Sequence, residues 1–218
     1  DTVHSPESLS SAVCDLVDNR IDMLTLWPFM ETETFWERTI MPIVFRTFFL
    51  DFHGREVNEE HKPWFAGFGP YILITRSAYE RIGGHRAVAS SLEEDYAIAR
   101  LIKEEGLRLK VLFGFHAVRT RMYSNFAEIW AGWLKNAFAG YNYSWAALLI
   151  GVTSLLLTTV IPLGLALLFF IIGVPWHRTF AVIAAPVAYI RDFLIYRELR
   201  VPARYSFLAP LGAAVYIL

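Results

Sequence analysis

The chain is poor in the residues that build several familiar kinds of protein. It has a single cysteine, Cys14, so a disulfide framework is excluded and a reduced, cytosol-facing environment is expected. It contains no glutamine at all. None of its six histidines (His4, His53, His61, His85, His116, His177) forms a pair at helical metal-ligand spacing, which argues against a zinc centre. There is no glycine-rich phosphate loop and no Gly-x-Ser-x-Gly, so neither a P-loop nucleotidase nor a serine hydrolase of that type is indicated. A formal net charge of −1 gives no electrostatic footprint for nucleic acid. No signal peptide, internal repeat or low-complexity tract stands out. The chain begins on Asp1 without a methionine and ends inside an apolar run at Leu218, and it reads as a fragment.

What is abundant is apolar side chain, 55% of 218 residues, and it is unevenly spread. Residues 1–144 carry fifteen basic against nineteen acidic residues and read as a mixed globular region. Residues 145–218 carry five basic against two acidic residues and are dominated by long apolar runs. From Trp145 to Val174 there is no charge, more than the roughly 20 residues a helix needs to cross a bilayer. Pro162 and Gly164 predict a kink or tilt near its middle. A second apolar run, 179–196, holds Arg191 and Asp192 at a spacing suited to pairing, and a third begins at Tyr205 and is cut by the chain end. Arg197, Arg200 and Arg204 make the second loop cytoplasmic, which places residues 1–144 on the same side. The expectation is a multi-pass cell-membrane protein with a cytoplasmic domain.

Within residues 1–144, strand and helix signals alternate, predicting an α/β layer structure. Ser5-Pro6-Glu7 is a helix start, with Leu9, Val13, Leu16 and Val17 as an apolar stripe behind it. Strands are expected over 21–27, 71–75 and 107–113. Thr34 with Glu37, Ser91 with Glu94, and Asn125 with Glu128 each have the spacing of a capping box. The helix from Thr34 is aromatic-rich and has Pro42 inside it, and residues 51–62 read as a polar loop. The helix after Ser91 turns Ile98, Leu101 and Ile102 to the core and stops at Gly106, while Gly83-Gly84 marks a tight turn.

The order of these pieces resembles membrane-bound family 2 glycosyltransferases, including those linked to hopanoid and carotenoid glycosylation. The resemblance runs through Asp1–Pro6, Gly69–Tyr71, Arg76–His85, Glu94–Arg100, Arg121–Tyr123 and Gly132–Asn136, covering nearly the whole chain. It implies the C-terminal part of a Rossmann-like GT-A domain, lacking its N-terminal nucleotide-binding portion, followed by transmembrane helices. The implied divisions are a partial catalytic domain over 1–123, an amphipathic interfacial helix over 124–144 and a membrane region over 145–218, with spans near 145–174, 179–196 and 205–218. The implied activity is inverting hexosyl transfer from a nucleotide-sugar to a membrane lipid or lipid-linked acceptor. In that reading Asp1 is the last aspartate of an Asp-x-Asp motif and holds a divalent cation, Mg²⁺ or Mn²⁺, at the donor diphosphate. Asp95 is the general base. Glu94, Gly69, Arg121, Trp133 and Lys135 line the substrate. Processive relatives carry Gln-x-x-Arg-Trp here, and the missing glutamine favours transfer of a single sugar over chain extension.

The residues also admit plainer readings. Asp1 suits a turn before a helix, and acids in a first helical turn answer the helix dipole without any catalytic duty, which accounts for Glu93 and part of Glu94. Lys135 suits a snorkelling interfacial lysine, and Trp130 and Trp133 suit interface anchors. His85 reads as a polar surface residue or as support behind a site. A non-catalytic membrane-anchored scaffold and a processive polysaccharide synthase remain the competing functions.

Overall fold

A computed structural model describes residues 2–51, 54–136, 138, 141, 144–172 and 175–217, with side chains for all of these except 48–51, 135–136, 170, 175–178, 180–185 and 188. The chain divides into two compact units: the residues up to Glu31 with Leu50–Met122, and Thr32–Phe49 with Tyr123–Leu218.

The first unit is a mixed α/β layer structure built on a four-stranded sheet. Its strands are β1 (Thr2–His4), β2 (Met23–Met30), β3 (Ile72–Ile74) and β4 (Leu109–Thr120), in the order β1-β4-β2-β3. β2 and β4 pair in parallel, and the two edge strands run antiparallel to them. Strand alternation decides which face each side chain serves. On β2, Met23 enters one cluster with Leu109 and Val111 of β4, whereas Leu24 and Leu26 enter another with Tyr71 and Val118 on the opposite face. The β2–β4 register breaks between Pro28 and Phe29. A proline in an interior strand has no N–H for the ladder, so the irregularity falls where the donor is missing.

Helices cover both faces. α1 (Ser8–Asp18) contributes Ala12 and Leu16 to the Leu24–Tyr71 side. Its other apolar residues, Leu9, Val13 and Val17, are exposed, so the stripe predicted from spacing is present but only its Leu16 edge meets the sheet. The helix begins at Ser8, after a turn in which the Ser8 N–H donates to the Ser5 carbonyl, two residues later than a Ser5 cap with Pro6 first in the helix suggested. The other face is covered by α3 (Arg76–Arg81), α4 (Gly84–Ala87) and α5 (Glu94–Glu104). Ile98, Ala99 and Ile102 of α5 are buried there, with Leu101 partly buried beside them. α5 ends as predicted: Gly106 adopts φ +67°, its N–H donates to Lys103, and the Leu107 N–H donates to Ile102.

The second unit is helical: α2 (Phe35–Asp51), α6 (Phe126–Asn136), α7 (Trp145–Leu155), α8 (Ile161–Ile172), α9 (Pro175–Glu198) and α10 (Ala209–Ile217). Two of the predicted capping boxes close here. The Glu37 carboxylate accepts from the Thr34 N–H, and the Glu128 N–H donates to Asn125 Oδ1 at 3.0 Å while its carboxylate accepts from Ser124. α7 and α8 are joined by a wide π-turn over Leu156–Val160, immediately before Pro162. The proline ring collides with the carbonyl one turn back in a regular helix, and a π-turn is one way to absorb that collision.

Trp145–Phe169 is, among the described residues, the one helical stretch long and apolar enough to cross a membrane. Its surface is apolar, with Ile150 70% and Leu167 64% exposed. α10 has only nine residues and buries Ala209, Gly212 and Ala213. Inside the unit, Arg46 of α2 is buried against Asp192 of α9 at 3.2 Å and against the Thr158 and Thr159 hydroxyls of the π-turn. Arg191 pairs with the same carboxylate at 2.8 Å, as its sequence position anticipated.

Candidate active site

The site in the first unit is assembled by α5 and the loop over residues 65–70. The loop is fastened to β2 by Thr25, whose buried hydroxyl accepts from the Phe68 N–H and donates to the Tyr71 carbonyl, each at 2.9 Å. It then runs hard against the start of α5. A Cβ on Gly67 would overlap the Asp95 carbonyl oxygen, and one on Gly69 would sit 3.2 Å from Asp95 Oδ2. Glycine at both positions is what permits the approach. Phe65 packs on the Tyr96 ring with centroids 4.6 Å apart, closing the strap.

Asp95 is the second residue of α5, and its carboxylate is held by backbone amides. Oδ2 accepts from the Gly69 N–H at 2.7 Å and Oδ1 from the Tyr96 N–H at 2.8 Å. Burial pushes this carboxyl above the ordinary aspartate range; the neighbouring Glu94 adds to the shift, and the Gly69 and Tyr96 amides oppose it. Glu93 is raised too, by burial first and by Asp95 second. The capping box expected of Ser91 and Glu94 does not form. Glu93 occupies the cap position, Glu94 is the first helical residue, and the Ser91 hydroxyl donates to the Glu93 carbonyl at 3.2 Å.

Beside these groups lies a cavity of about 490 Å³ whose walls include His4, Gly69, Tyr71, His85, Glu94 and Asp95. Among the described residues, no lysine or arginine lines it. The structure thus brings together three of the residues singled out from sequence, Gly69, Glu94 and Asp95. Arg121, half-buried on the segment after β4, is not among the lining residues. Trp133 belongs to the second unit, where it lines a separate aromatic cavity of about 230 Å³ with Trp130, Phe138, Tyr141, Trp145 and Tyr216. Asp1 and the Lys135 side chain lie outside the described residues.

Sequence reasoning gave no role to His4 and Tyr71, and placed His85 on the surface or behind the site rather than in its wall. His4 follows from β1 pairing with β4, and its ring packs on Tyr71 at 5.3 Å. Among the described residues, no group of three or more His, Cys, Asp or Glu side chains gathers as a cation would require.

Over 124 residues the chain is 26% identical to the 4,4'-diaponeurosporenoate glycosyltransferase of Staphylococcus aureus, with the same figures for strains USA300, NCTC 8325 / PS 47 and Newman. It is similar to a glycosyltransferase. The aligned region takes in 54% of this chain and 32% of the relative, so the chain spans about a third of the length of the curated glycosyltransferases it matches. No family model and no solved structure matches it.

Proposed function

We propose that the full-length protein is a membrane-bound, inverting family 2 glycosyltransferase with a GT-A catalytic domain, which moves a hexosyl group from a nucleotide-sugar to a hydroxyl of a lipid or lipid-linked acceptor. The observation that carries the proposal is Asp95: a half-buried carboxylate of raised proton affinity, locked by the Gly69 amide in the wall of a cavity. Such a group meets what a general base needs, hydrogen-bond access to an incoming hydroxyl and an affinity shifted toward the working pH.

In this mechanism the acceptor hydroxyl hydrogen-bonds to the Asp95 carboxylate. Its oxygen attacks the anomeric carbon while its proton passes to Asp95. The bond from that carbon to the diphosphate oxygen breaks, and the electron pair leaves with the nucleotide diphosphate. A single displacement inverts the anomeric centre and requires no protein nucleophile. Glu94, in the same wall, offers a second acceptor for sugar hydroxyls, and Gly69 holds Asp95 in place. A divalent cation, Mg²⁺ or Mn²⁺, bound through Asp1 is part of the proposal on the strength of the resemblance, as are diphosphate or headgroup contacts from Arg121 and Lys135; when bound, the metal neutralises charge on the departing diphosphate.

Two features of the second unit support an acceptor in the membrane phase. One is the apolar helix Trp145–Phe169, and the other is the aromatic cavity around Trp133 and Trp145, suited to an apolar body. The basic second loop supports a cytoplasmic catalytic domain, and the multi-pass arrangement is part of the proposal on the strength of the apolar runs in the sequence.

The test is Asp95→Asn in the full-length protein. Turnover of nucleotide-sugar should fall by about 10²–10⁴-fold while the melting transition stays cooperative. Sugar transfer at the wild-type rate by a folded Asp95→Asn protein would defeat the assignment.

A further inference from the structure

We propose that His85 is a substrate-binding residue of the Asp95 cavity, donating a hydrogen bond from Nε2–H to a hydroxyl oxygen of the bound sugar or acceptor, in a tautomer fixed by Tyr79. The inference rests on the glycosyltransferase reading and adds to it a residue and a ligand chemistry.

The geometry begins with two consecutive left-handed residues, Gly83 at φ +81° and Gly84 at φ +58°. They turn the chain sharply between α3 and α4, a conformation that costs a residue with a Cβ. At Gly84 there is a second reason for glycine: a Cβ would lie 2.6 Å from the Tyr79 ring. The backbone therefore lies directly on the phenol, and this contact brings His85 over it. The His85 backbone N–H donates to Tyr79 Oη at 3.1 Å, and the same oxygen lies 2.7 Å from His85 Nδ1. A phenol has one hydrogen. With its oxygen already accepting from the backbone, that hydrogen is best used toward Nδ1, which makes Nδ1 the acceptor and leaves the imidazole proton on Nε2. Tyr79 is itself rooted in α3, whose N-terminus is capped by Thr75.

The composition of the cavity gives this donor its use. Among the described residues, the titratable groups in the lining are Glu94 and Asp95, which accept when ionised, the imidazoles of His4 and His85, and Tyr71. Tyr71 donates its hydroxyl hydrogen to the Ser8 carbonyl at 3.1 Å, so that hydrogen is directed away from a ligand. An anionic group would meet two carboxylates with no lysine or arginine beside them among the described lining residues. A hydroxyl is suited to the same place, because it can donate to a carboxylate and accept from an imidazole N–H at once. The ligand chemistry is thus a neutral hydroxyl, from either the donor's sugar ring or the acceptor.

The experiment uses the full-length protein and two substitutions that divide the roles of the ring. His85→Asn keeps a polar atom near the Nδ1 position, where it can still meet Tyr79, and removes the Nε2 donor. His85→Gln places an amide N–H near the Nε2 position and gives up the Tyr79 contact. KM is measured separately for nucleotide-sugar and for acceptor, alongside kcat and the melting temperature. The expected result is a rise of about tenfold in one KM for His85→Asn, most of it recovered in His85→Gln, with the substrate whose KM moves identifying the source of the hydroxyl. A merely structural histidine gives the opposite order, with His85→Asn near wild type and His85→Gln impaired or unfolded. That order, or unchanged KM values in both variants, overturns the proposal. If Asp95→Asn turns over as fast as wild type, the glycosyltransferase reading fails, and that failure is distinct from a failure at His85 alone.

Discussion

Asp95 carries a conflict between stability and chemistry. Its carboxyl is raised chiefly by burial, with Glu94 adding to the effect and two backbone amides opposing it. A raised affinity means the folded protein holds the proton more tightly than the unfolded chain, whose aspartate titrates near about 3.9. The side chain's favourable contribution to stability is therefore fully present below that unfolded value and is lost as pH rises through the folded one. The proposed mechanism requires the opposite form, since a base must be ionised to take a proton. Two measurements follow. The acid limb of kcat/KM should lie above the ordinary carboxylate range, with activity rising as pH increases, and melting curves of wild type and Asp95→Asn should converge or cross as pH rises through that limb. The asparagine removes the ionisation cost but turns one amide toward the Gly69 N–H, so the variant should be no worse than about 1 kcal/mol below wild type at neutral pH. A wild-type protein that gains stability over Asp95→Asn as pH rises through that limb would contradict the burial-dominated account.

At the level of elements, the site depends on how closely the 65–70 loop lies on the first turn of α5. Two glycines separate proximity from backbone conformation. Gly67 has no left-handed φ but faces the Asp95 backbone, whereas Gly106 has φ +67° and nothing within 4 Å of its missing Cβ. Gly67→Ala should cost about 1–3 kcal/mol by overpacking and should also pull the Gly69 amide off Asp95, so turnover falls with stability. Gly106→Ala should cost about 1 kcal/mol through backbone strain alone and leave turnover intact. Chemical denaturation and turnover of both variants decide it, and a fully active Gly67→Ala protein would show that the strap does not position the base. These elements also show what was legible in the sequence. Spacing identified the buried face of α5, its stop at Gly106 and the boxes at Thr34–Glu37 and Asn125–Glu128, because each is a contact over three or four residues. Ser91–Glu94 had the same spacing and failed, since the helix starts at Glu94 and Glu93 occupies the cap. The stripe on α1 was legible as a period, but which edge meets the sheet depends on Leu24 and Tyr71, remote in sequence. The strand expected over 107–113 continues to Thr120 because β1 gives its second half a partner. Asp95, Glu94 and Gly69 could be named in advance through the resemblance. The wall formed by His4, Tyr71 and His85 could not, because sequence spacing carries no signal for a convergence of three separate segments.

At the level of the whole molecule, the second unit has to reconcile an apolar exterior with buried charge. Asp192 (1% exposed) and Arg46 (4%) sit inside it, and Arg191 approaches the same carboxylate with its side chain about one third exposed. Charge inside an apolar helical assembly is costly unless paired, and here two cations share one anion, with the π-turn threonines accepting further guanidinium hydrogens. The π-turn therefore does more than absorb Pro162, because it offers Thr158 and Thr159 as adjacent acceptors for Arg46. Arg191, partly exposed, can turn its guanidinium outward if Asp192 is lost, but Arg46 has no such exit. Removing the carboxylate alone by Asp192→Leu should thus strand a buried cation and cost about 3–5 kcal/mol, and Arg46→Met should cost a similar amount by leaving Asp192 with only its exposed partner. The double variant, which replaces both charges with apolar volume, should recover most of that loss, giving a coupling well above the roughly 0.3–0.5 kcal/mol expected of independent sites. Unfolding of the four proteins in one detergent or lipid system measures the cycle. Additive losses, or single variants as stable as wild type, would mean that packing among Ile43, Leu155, Tyr196 and Ala213 holds the unit together without help from the ion pair.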